Sequence, residues 1–414
     1  MKGIYMQDFP IKKPIFNRIF CFYCLFAMVS AGEGVPVEEL LKALHQSQGI
    51  QMEKEWAGKL KKVVASDQPR EPWEIAWSRE NQPGSEKEDF LSIQRSFPTP
   101  AFKRVQKKLA RTESEQVGMG FSRYMTSLEL ELQEKFYEGL RIQIEIEIRS
   151  NYLREFDLLV QKLAHRVQEG IGPAYDLQRL RQQQVLEKQI IQSLETDYTT
   201  LLVDLKILCM DTIPITGLSG NLLPVWDASR QDEALSKIET NQELESQRLE
   251  LSRLSHKQAQ FQRGSISHFN LEIGAKQIKD GSQSGKGNII GFSVPLSIGD
   301  PYAARRARYR TQGKLREMQY ERKRASLKKK LENLSHLITK RIAQCNGLQK
   351  TLIEPAISLS QMKAQAYRNG GGSLADLLDS RRHLLESYLQ TLEISYKARM
   401  AWLKFERLLT GVYR

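Results

Sequence analysis

The sharpest pattern along the chain is an alternation. Phe269, Leu271, Ile273 and Ala275 are separated by Asn270, Glu272, Gly274 and Lys276. Farther on, Ile290, Phe292, Val294, Leu296 and Ile298 are separated by Gly291, Ser293, Pro295, Ser297 and Gly299. A period of two puts successive side chains on opposite faces of a strand. The spacing therefore predicts two strands, 267–276 and 288–298, joined by a Gly/Ser-rich turn over 280–287. Each strand presents an apolar face opposite small or polar residues. An earlier stretch repeats the pattern loosely, with Trp73, Ile75 and Trp77, then Leu91, Ile93 and Phe97.

Elsewhere the pattern is helical. Residues 234–262 are rich in Glu, Leu, Gln and Ser without Gly or Pro. Residues 303–369 read as almost continuous helix, interrupted only by Gly313, Gly347 and Pro355. At 1.5 Å per residue such a segment reaches about 100 Å. A return helix over 373–409 carries Leu377, Leu378, Leu384, Leu385, Tyr388, Leu392, Tyr396 and Leu403 at helical spacing. In the first half, Ile191, Tyr198 and Leu205 alternate with Leu194, Leu201 and Leu208 in a heptad. Long helices apolar along one seam must pack against other long helices. The fold class expected is mainly α with a small β part.

Self-comparison suggests an internal duplication. Gly170-Ile-Gly-Pro-Ala-Tyr-Asp176-Leu177 aligns with Gly370-Gly-Gly-Ser-Leu-Ala-Asp376-Leu377 at an offset of 200. Ser193-Leu194-Glu195 with Tyr198 aligns with Thr391-Leu392-Glu393 with Tyr396 at 198, and Ser92-Ile93 with Ser293-Val294 at 201. The domains expected are a first repeat over 32–210, a linker over 211–233 marked by Pro214, Gly217, Gly220 and Pro224, and a second repeat over 234–411. Each repeat reads helix, strand, strand, long helix, turn, helix.

The N-terminus adds a compartment. Lys2, Lys12, Lys13 and Arg18 precede an apolar run from Ile19 that ends in Val29-Ser30-Ala31. That is the form of a secretory signal peptide over 1–31. Its thirteen residues, 19–31, are fewer than the roughly 20 a spanning helix needs. Cys21 and Cys24 would leave with it, and Cys209 and Cys345 remain as buried small side chains, with no disulfide framework.

A two-faced hairpin suits either a soluble sheet packed on a helix or a barrel strand between lipid and lumen. Export, together with flanking helices too long and polar to cover the hairpin, favours the second. The expected lipid-facing residues are then Phe269, Leu271, Ile273, Ile290, Phe292, Val294 and Leu296. Four strands cannot close a barrel, for which about eight is the small end, and lipid forbids an open sheet edge. The strands would have to belong to a barrel shared among subunits.

The formal net charge is +13. Residues 305–330 hold twelve Lys or Arg against Glu317 and Glu321. In an exported chain such an excess suits a solvated helix face, anionic lipid headgroups or an anionic transported species better than nucleic acid, and no nucleic acid is expected. The histidines (His45, His165, His256, His268, His336, His383) are scattered without ligand spacing, so no metal site is expected. Gly370-Gly371-Gly372 lies between helices, the wrong context for a phosphate loop, and a nucleophile elbow is missing. No enzyme activity and no cofactor are expected.

Several passages resemble the TolC-like outer-membrane efflux proteins, in particular the subgroup serving resistance-nodulation-division metal and drug pumps. Gly291-Phe-Ser-Val-Pro-Leu-Ser-Ile-Gly-Asp-Pro301 is similar to that family's exit from the barrel. Pro355, then Tyr367-Arg-Asn-Gly370 and Ser373-Leu-Ala-Asp376-Leu-Leu-Asp379, are similar to its helix tip. Asn241-Gln-Glu-Leu244 resembles its Asn-Pro-x-Leu helix start, with Gln242 in place of Pro, and Ser47-Gln-Gly-Ile50 is the closest first-half segment. The resemblance implies a homotrimer with a 12-stranded barrel and a tunnel of long antiparallel helices through the periplasm. It also implies periplasmic adaptor and inner-membrane pump partners, contact with outer-membrane lipid, and a passive exit duct. Asp376 and Asp379 match the family's aspartate constriction, which three residues' spacing would stack as two rings. The first half keeps Asp176 but has Arg179 opposite Asp379. Gly370, Gly371, Gly372 and Ser373 are the implied hinge of the tip. The alternative on the residues alone is an exported coiled-coil structural or adaptor protein.

Overall fold

The computed structural model describes residues 34–66, 72–81, 87–170, 173–226, 232–233, 236–261, 266–280, 283–295, 300 and 302–411. The expected signal peptide and Leu296 lie outside them. Residues fall into two compact units, one gathering residues up to Met52, Met125–Ile238 and from Lys328 onward, the other Glu53–Tyr124 and Glu239–Leu327. In chain order the elements are β1 (Val35–Pro36), α1 (Val37–Gln46), α2 (Gln48–Ser66), β2 (Trp73–Asn81), β3 (Lys87–Pro98), α3 (Pro100–Gln168) and α4 (Ala174–Leu208). There follow β4 (Leu218–Ser219), a 3₁₀ turn (Ile238–Thr240), α5 (Gln242–Gln260), β5 (His268–Asp280), β6 (Gln283–Ser293), α6 (Ala303–Leu348), a π turn (Gln349–Ile353), α7 (Glu354–Arg368) and α8 (Leu374–Thr410).

Helix ends follow local chemistry. α5 starts at Asn241, whose side-chain oxygen accepts from the backbone N–H groups of Glu243 and Leu244. Residue 236 is also helical, so the segment read as one helix from residue 234 is interrupted by the 3₁₀ turn at Ile238–Thr240 and restarts at the Asn241 cap. α8 starts the same way at Ser373. The 303–369 segment divides at the π turn just before Pro355, because proline lacks the N–H that a continuing α-helix needs there. Gly313 lies inside α6 and does not break it.

The strands differ from expectation in extent. β5 and β6 run 268–280 and 283–293, so the supposed Gly/Ser turn is largely paired strand, with Ile278 opposite Gly285 and Lys276 opposite Gly287. The ladder uses backbone groups, which Gly and Ser supply as well as any residue. Val294 falls just past the end of β6. The sheet is antiparallel with order β2-β3-β5-β6, so one hairpin from each half meets at the β3–β5 pair.

In the helical unit, Leu40, Leu44, Phe136, Leu140, Leu205 and Leu222 are fully buried. Ile191 and Leu205 of the α4 heptad are buried, and Leu194, Leu201 and Leu208 are half-buried. Part of the segment read as a linker, around Leu218–Ser219, is built into this packing. Leu218–Ser219 pairs in parallel with Val35–Pro36, and Gln143 clamps Leu218 by donating to its carbonyl (3.0 Å) and accepting from its N–H (2.9 Å). Gly139 makes room for it, since a Cβ there would come within 2.8 Å of the Leu218 side chain. Proline and glycine foretold the turns of this segment but not its burial.

Charged pairs also link the helices of the same unit. Arg149 joins Glu145 (3.0 Å) and Glu187 (3.2 Å), linking α3 to α4. Lys135 meets Asp204 at 2.6 Å, Arg407 meets Glu134 at 3.0 Å, and Arg381 pairs with Glu155. Arg399 is almost wholly buried and forms no ion pair among the described residues. It donates to the carbonyls of Leu222 (2.9 Å) and Asn221 (2.6 Å) and lies over the Tyr137 ring. Burial lowers its pKa, with the Tyr137 and Glu38 charges opposing.

Candidate functional site

The register of the sheet sorts its side chains into rungs. From the helix side, Phe97 faces Phe269; next come Trp73, Arg95, Leu271 and Phe292; then Ile75, Ile93, Ile273 and Ile290; then Trp77, Leu91, Ala275 and Asn288. All lie on one face, because directly paired residues project to the same side. The isoleucine rung runs across all four strands and is 72%, 43%, 56% and 80% exposed. A row of isoleucines left bare is a large apolar patch of the kind that marks a partner or a membrane. The expected face residues Phe269, Leu271, Ile273, Ile290 and Phe292 thus share one surface, together with the first-half Trp73, Ile75, Trp77, Leu91, Ile93 and Phe97.

Aromatic rings gather at the helix side of this face. Phe97 stacks on Phe269 (5.5 Å), and Phe269 meets Phe292 (5.6 Å). Arg95 lies within the apolar field, its guanidinium 5.0 Å from the Trp73 ring and 5.4 Å from the Phe97 ring. Cation–π contact and its apolar stem reconcile that charge with the surroundings. The alternation reading passed over Arg95 because it breaks the apolar pattern.

The opposite face is mostly polar and internally bonded. Gln94 donates to Glu74 (2.7 Å), Ser96 to Asn270 (2.5 Å), and Asn270 to Ser293 (3.3 Å). Lys276 meets Glu88 at 2.5 Å. It is less uniformly polar than the alternation suggested, since Phe90, Ile278 and Ile289 also project there. The Phe90 ring fits over Gly274, where a Cβ would come within 3.0 Å of it.

At the α7–α8 turn the three glycines have different roles. Gly370 has a φ of +77° and closes α7 by donating to the Tyr367 carbonyl (3.2 Å). Gly170 ends α3 with nearly the same φ, +76°. Gly372 passes against Ala366 and Tyr367, where a Cβ would come within 3.1 Å of backbone. Gly371 donates to the Ala366 carbonyl at 3.0 Å. Ser373 then caps α8, its hydroxyl accepting from the Asp376 N–H at 3.0 Å.

Asp376 and Asp379 are both exposed in the first turns of α8. The basic partner of Asp376 within the subunit is Lys363 of α7, at 3.7 Å. No sequence spacing announced it, because the turn brings the two together. Arg179 is exposed on α4, near half-buried Asp176, and forms no ion pair among the described residues. The Arg382 pKa is raised, first by Glu386 and to a smaller degree by Asp379.

Among the described residues no group of three or more His, Cys, Asp or Glu is placed to hold a metal ion, and no helix is long and apolar enough to cross a membrane.

No family model and no curated protein matches the sequence. Solved structures do match. The chain is similar to CusC, crystallised in a study of folding and transmembrane channel formation, with 13% identity, 91% of this chain and 92% of that one covered, and a TM-score of 0.70. It is similar to the outer-membrane channel OprN, with 15% identity, coverage of 94% and 92%, and a TM-score of 0.69. The outer membrane protein VceC of Vibrio cholerae shares 10% identity over 91% and 97% of the two chains, with a TM-score of 0.67. The chain has the fold of the TolC-like outer-membrane channels.

Proposed function

We propose that the chain is one subunit of a homotrimeric outer-membrane channel, a passive exit duct of a tripartite efflux or secretion system and not an enzyme. The observation that carries this reading is the sheet, with a bare isoleucine rung on one face and unpaired edges at β2 and β6 among the described residues. Hydrocarbon accepts an apolar face but no open edge. Edge-to-edge copies satisfy both demands, and three copies supply twelve strands, within the range of known barrels.

Further support comes from the fold, which CusC and OprN share at high coverage. The signal-peptide pattern over 1–31 supports delivery to the outer membrane, with the helices in the periplasm. The repeated sequence blocks support a duplication of 32–210 as 234–411 across the 211–233 segment. A periplasmic adaptor and an inner-membrane pump complete the proposed system. Asp376 and Asp379, with Arg179 nearby in the assembled ring, form the proposed constriction, and the Gly370–Ser373 turn is its pivot.

Imaging of single particles of the detergent-purified protein tests the assembly. A three-fold tube is expected. A folded monomer, or a protein released from membranes by carbonate washing, overturns the proposal and points to a soluble coiled-coil protein.

A further inference from the structure

We propose that the turn-side end of the sheet's apolar face is a belt that binds the phosphate groups of membrane lipid, a reading that rests on that face being turned to lipid. Beyond the rung of Trp77 and Leu91 the chemistry changes within two residues. The next rung is Arg79, Asp89, Gln277 and Lys286, and the last is Asn81, Lys87, Lys279 and Ser284. These two rungs carry four cations and one carboxylate on the face that is otherwise aliphatic and aromatic.

Arg79 is occupied. It grips Asp89 with two bonds (2.6 and 3.1 Å) and lies over the Trp77 ring at 5.6 Å. Lys87, Lys279 and Lys286 are exposed and form no ion pair among the described residues. The nearby acids Glu80 and Glu88 project to the opposite face, where Glu88 holds Lys276. The face therefore ends in three lysines per subunit, grouped around a carboxylate that already has its arginine.

Lysines also protect sheet edges from stray pairing. That role accounts for Lys286 on edge strand β6, but not for Lys87 and Lys279, which occupy the two central strands. Their placement suits another task. A lysine stem can lie along apolar surface while its ammonium reaches the headgroup level, where phosphate oxygens accept charge-assisted hydrogen bonds. The helix-side end of the same face is built differently. There the cation, Arg95, is enclosed by the Trp73 and Phe97 rings. Among the described residues of this face, only the turn side offers an anionic lipid cations that are neither in an ion pair nor enclosed by rings.

The test uses full-length protein in vesicles of phosphatidylcholine mixed with phosphatidylglycerol, with one or the other lipid brominated. The readout is quenching of Trp77 fluorescence, taken as the difference from Trp77→Phe. Wild type should be quenched more by brominated phosphatidylglycerol than by brominated phosphatidylcholine, with local enrichment of roughly fivefold per lysine. The triple variant Lys87→Gln, Lys279→Gln, Lys286→Gln should be quenched equally by both. The corresponding Lys→Arg triple variant should keep the wild-type preference. An undiminished preference in the Gln variant, no preference in wild type, or loss of it in the Arg variant overturns the belt while leaving the lipid-facing sheet intact. Absence of Trp77 quenching by either lipid overturns the lipid-facing reading itself.

Discussion

The same kinds of residue have opposite fates in the two units. Phe136, Leu140 and Leu222 of the helical unit are fully buried against neighbouring helices. Ile75 and Ile290 of the sheet are exposed to the surroundings. In the first region apolar side chains are covered by the chain itself. In the second a complete rung across four strands is left uncovered. A water-soluble protein would be destabilised by that surface or would aggregate through it. The contrast teaches that the sheet's apolar face is built to meet a partner or a membrane, whereas the helical unit obeys ordinary core packing.

The largest expected effect probes the covered region. Phe136→Ala should cost about 3–5 kcal/mol, read by chemical denaturation in detergent, because it removes a fully buried ring from the helical core. Ile75→Ala, equally conservative in chemistry, should cost less than about 1 kcal/mol in the same assay. A loss at Ile75 comparable with that at Phe136 would erase the contrast.

Next in size is a charge on the uncovered face. Ile290→Arg or Phe292→Arg should cost roughly 2–4 kcal/mol per subunit in a folding titration into bilayers, if the site lies at mid-membrane. Ser293→Arg, on the other face, should be tolerated much better. Equal tolerance at 292 and 293 would place both faces in water.

A third measurement sharpens the character of the helical core. Burial pushes the Cys209 thiol from its ordinary value of 9.0 up to about 11. The folded state thus favours the neutral thiol. This contribution to stability is fully present below pH 9 and is lost as pH rises through about 11. Cys209→Ala should remove that part of the alkaline destabilisation in pH-dependent unfolding, and an unchanged alkaline profile would refute it.

The smallest effects on stability are expected at the tip, where function should respond instead. Asp376→Ala with Asp379→Ala should change stability by about 0.5 kcal/mol or less. It should weaken cation selectivity and block by multivalent cations in planar-bilayer recordings. Arg179→Ala should shift selectivity the other way. Lys363→Ala breaks an exposed pair worth less than about 1 kcal/mol, and should strengthen cation preference if Lys363 partly neutralises Asp376. Unchanged conductance, selectivity and block in the double alanine variant would reduce both aspartates to helix-start residues.

Much of this architecture was legible in the chain. Alternation identified the apolar face residues Phe269 to Ile273 and Ile290 to Phe292, because strand period alone determines sidedness. Ser373 opened the helix read over 373–409, because a cap acts within three residues of itself, whereas Asn241 stood out only through a family resemblance and composition alone ran that helix on from 234. Gly370 announced a helix end, because a left-handed φ favours glycine. Strand limits were misjudged over 277–287, because Gly and Ser suit both a turn and a ladder.

Only the tertiary structure decided which residues stand side by side. Sliding a strand by two residues leaves every side chain on its face, so alternation cannot choose the rung. The β3–β5 pairing chose it, and aligned Ile75, Ile93, Ile273 and Ile290 in one row with the lysines together beyond them. Lys363 beside Asp376, Gln143 on Leu218 and Arg399 on Leu222 likewise join residues that no local signal connects. Local periodicity and caps act over a few residues and are written in the sequence. Contacts between distant segments, and the choice between burial and exposure for an apolar face, depend on what the rest of the chain brings against it.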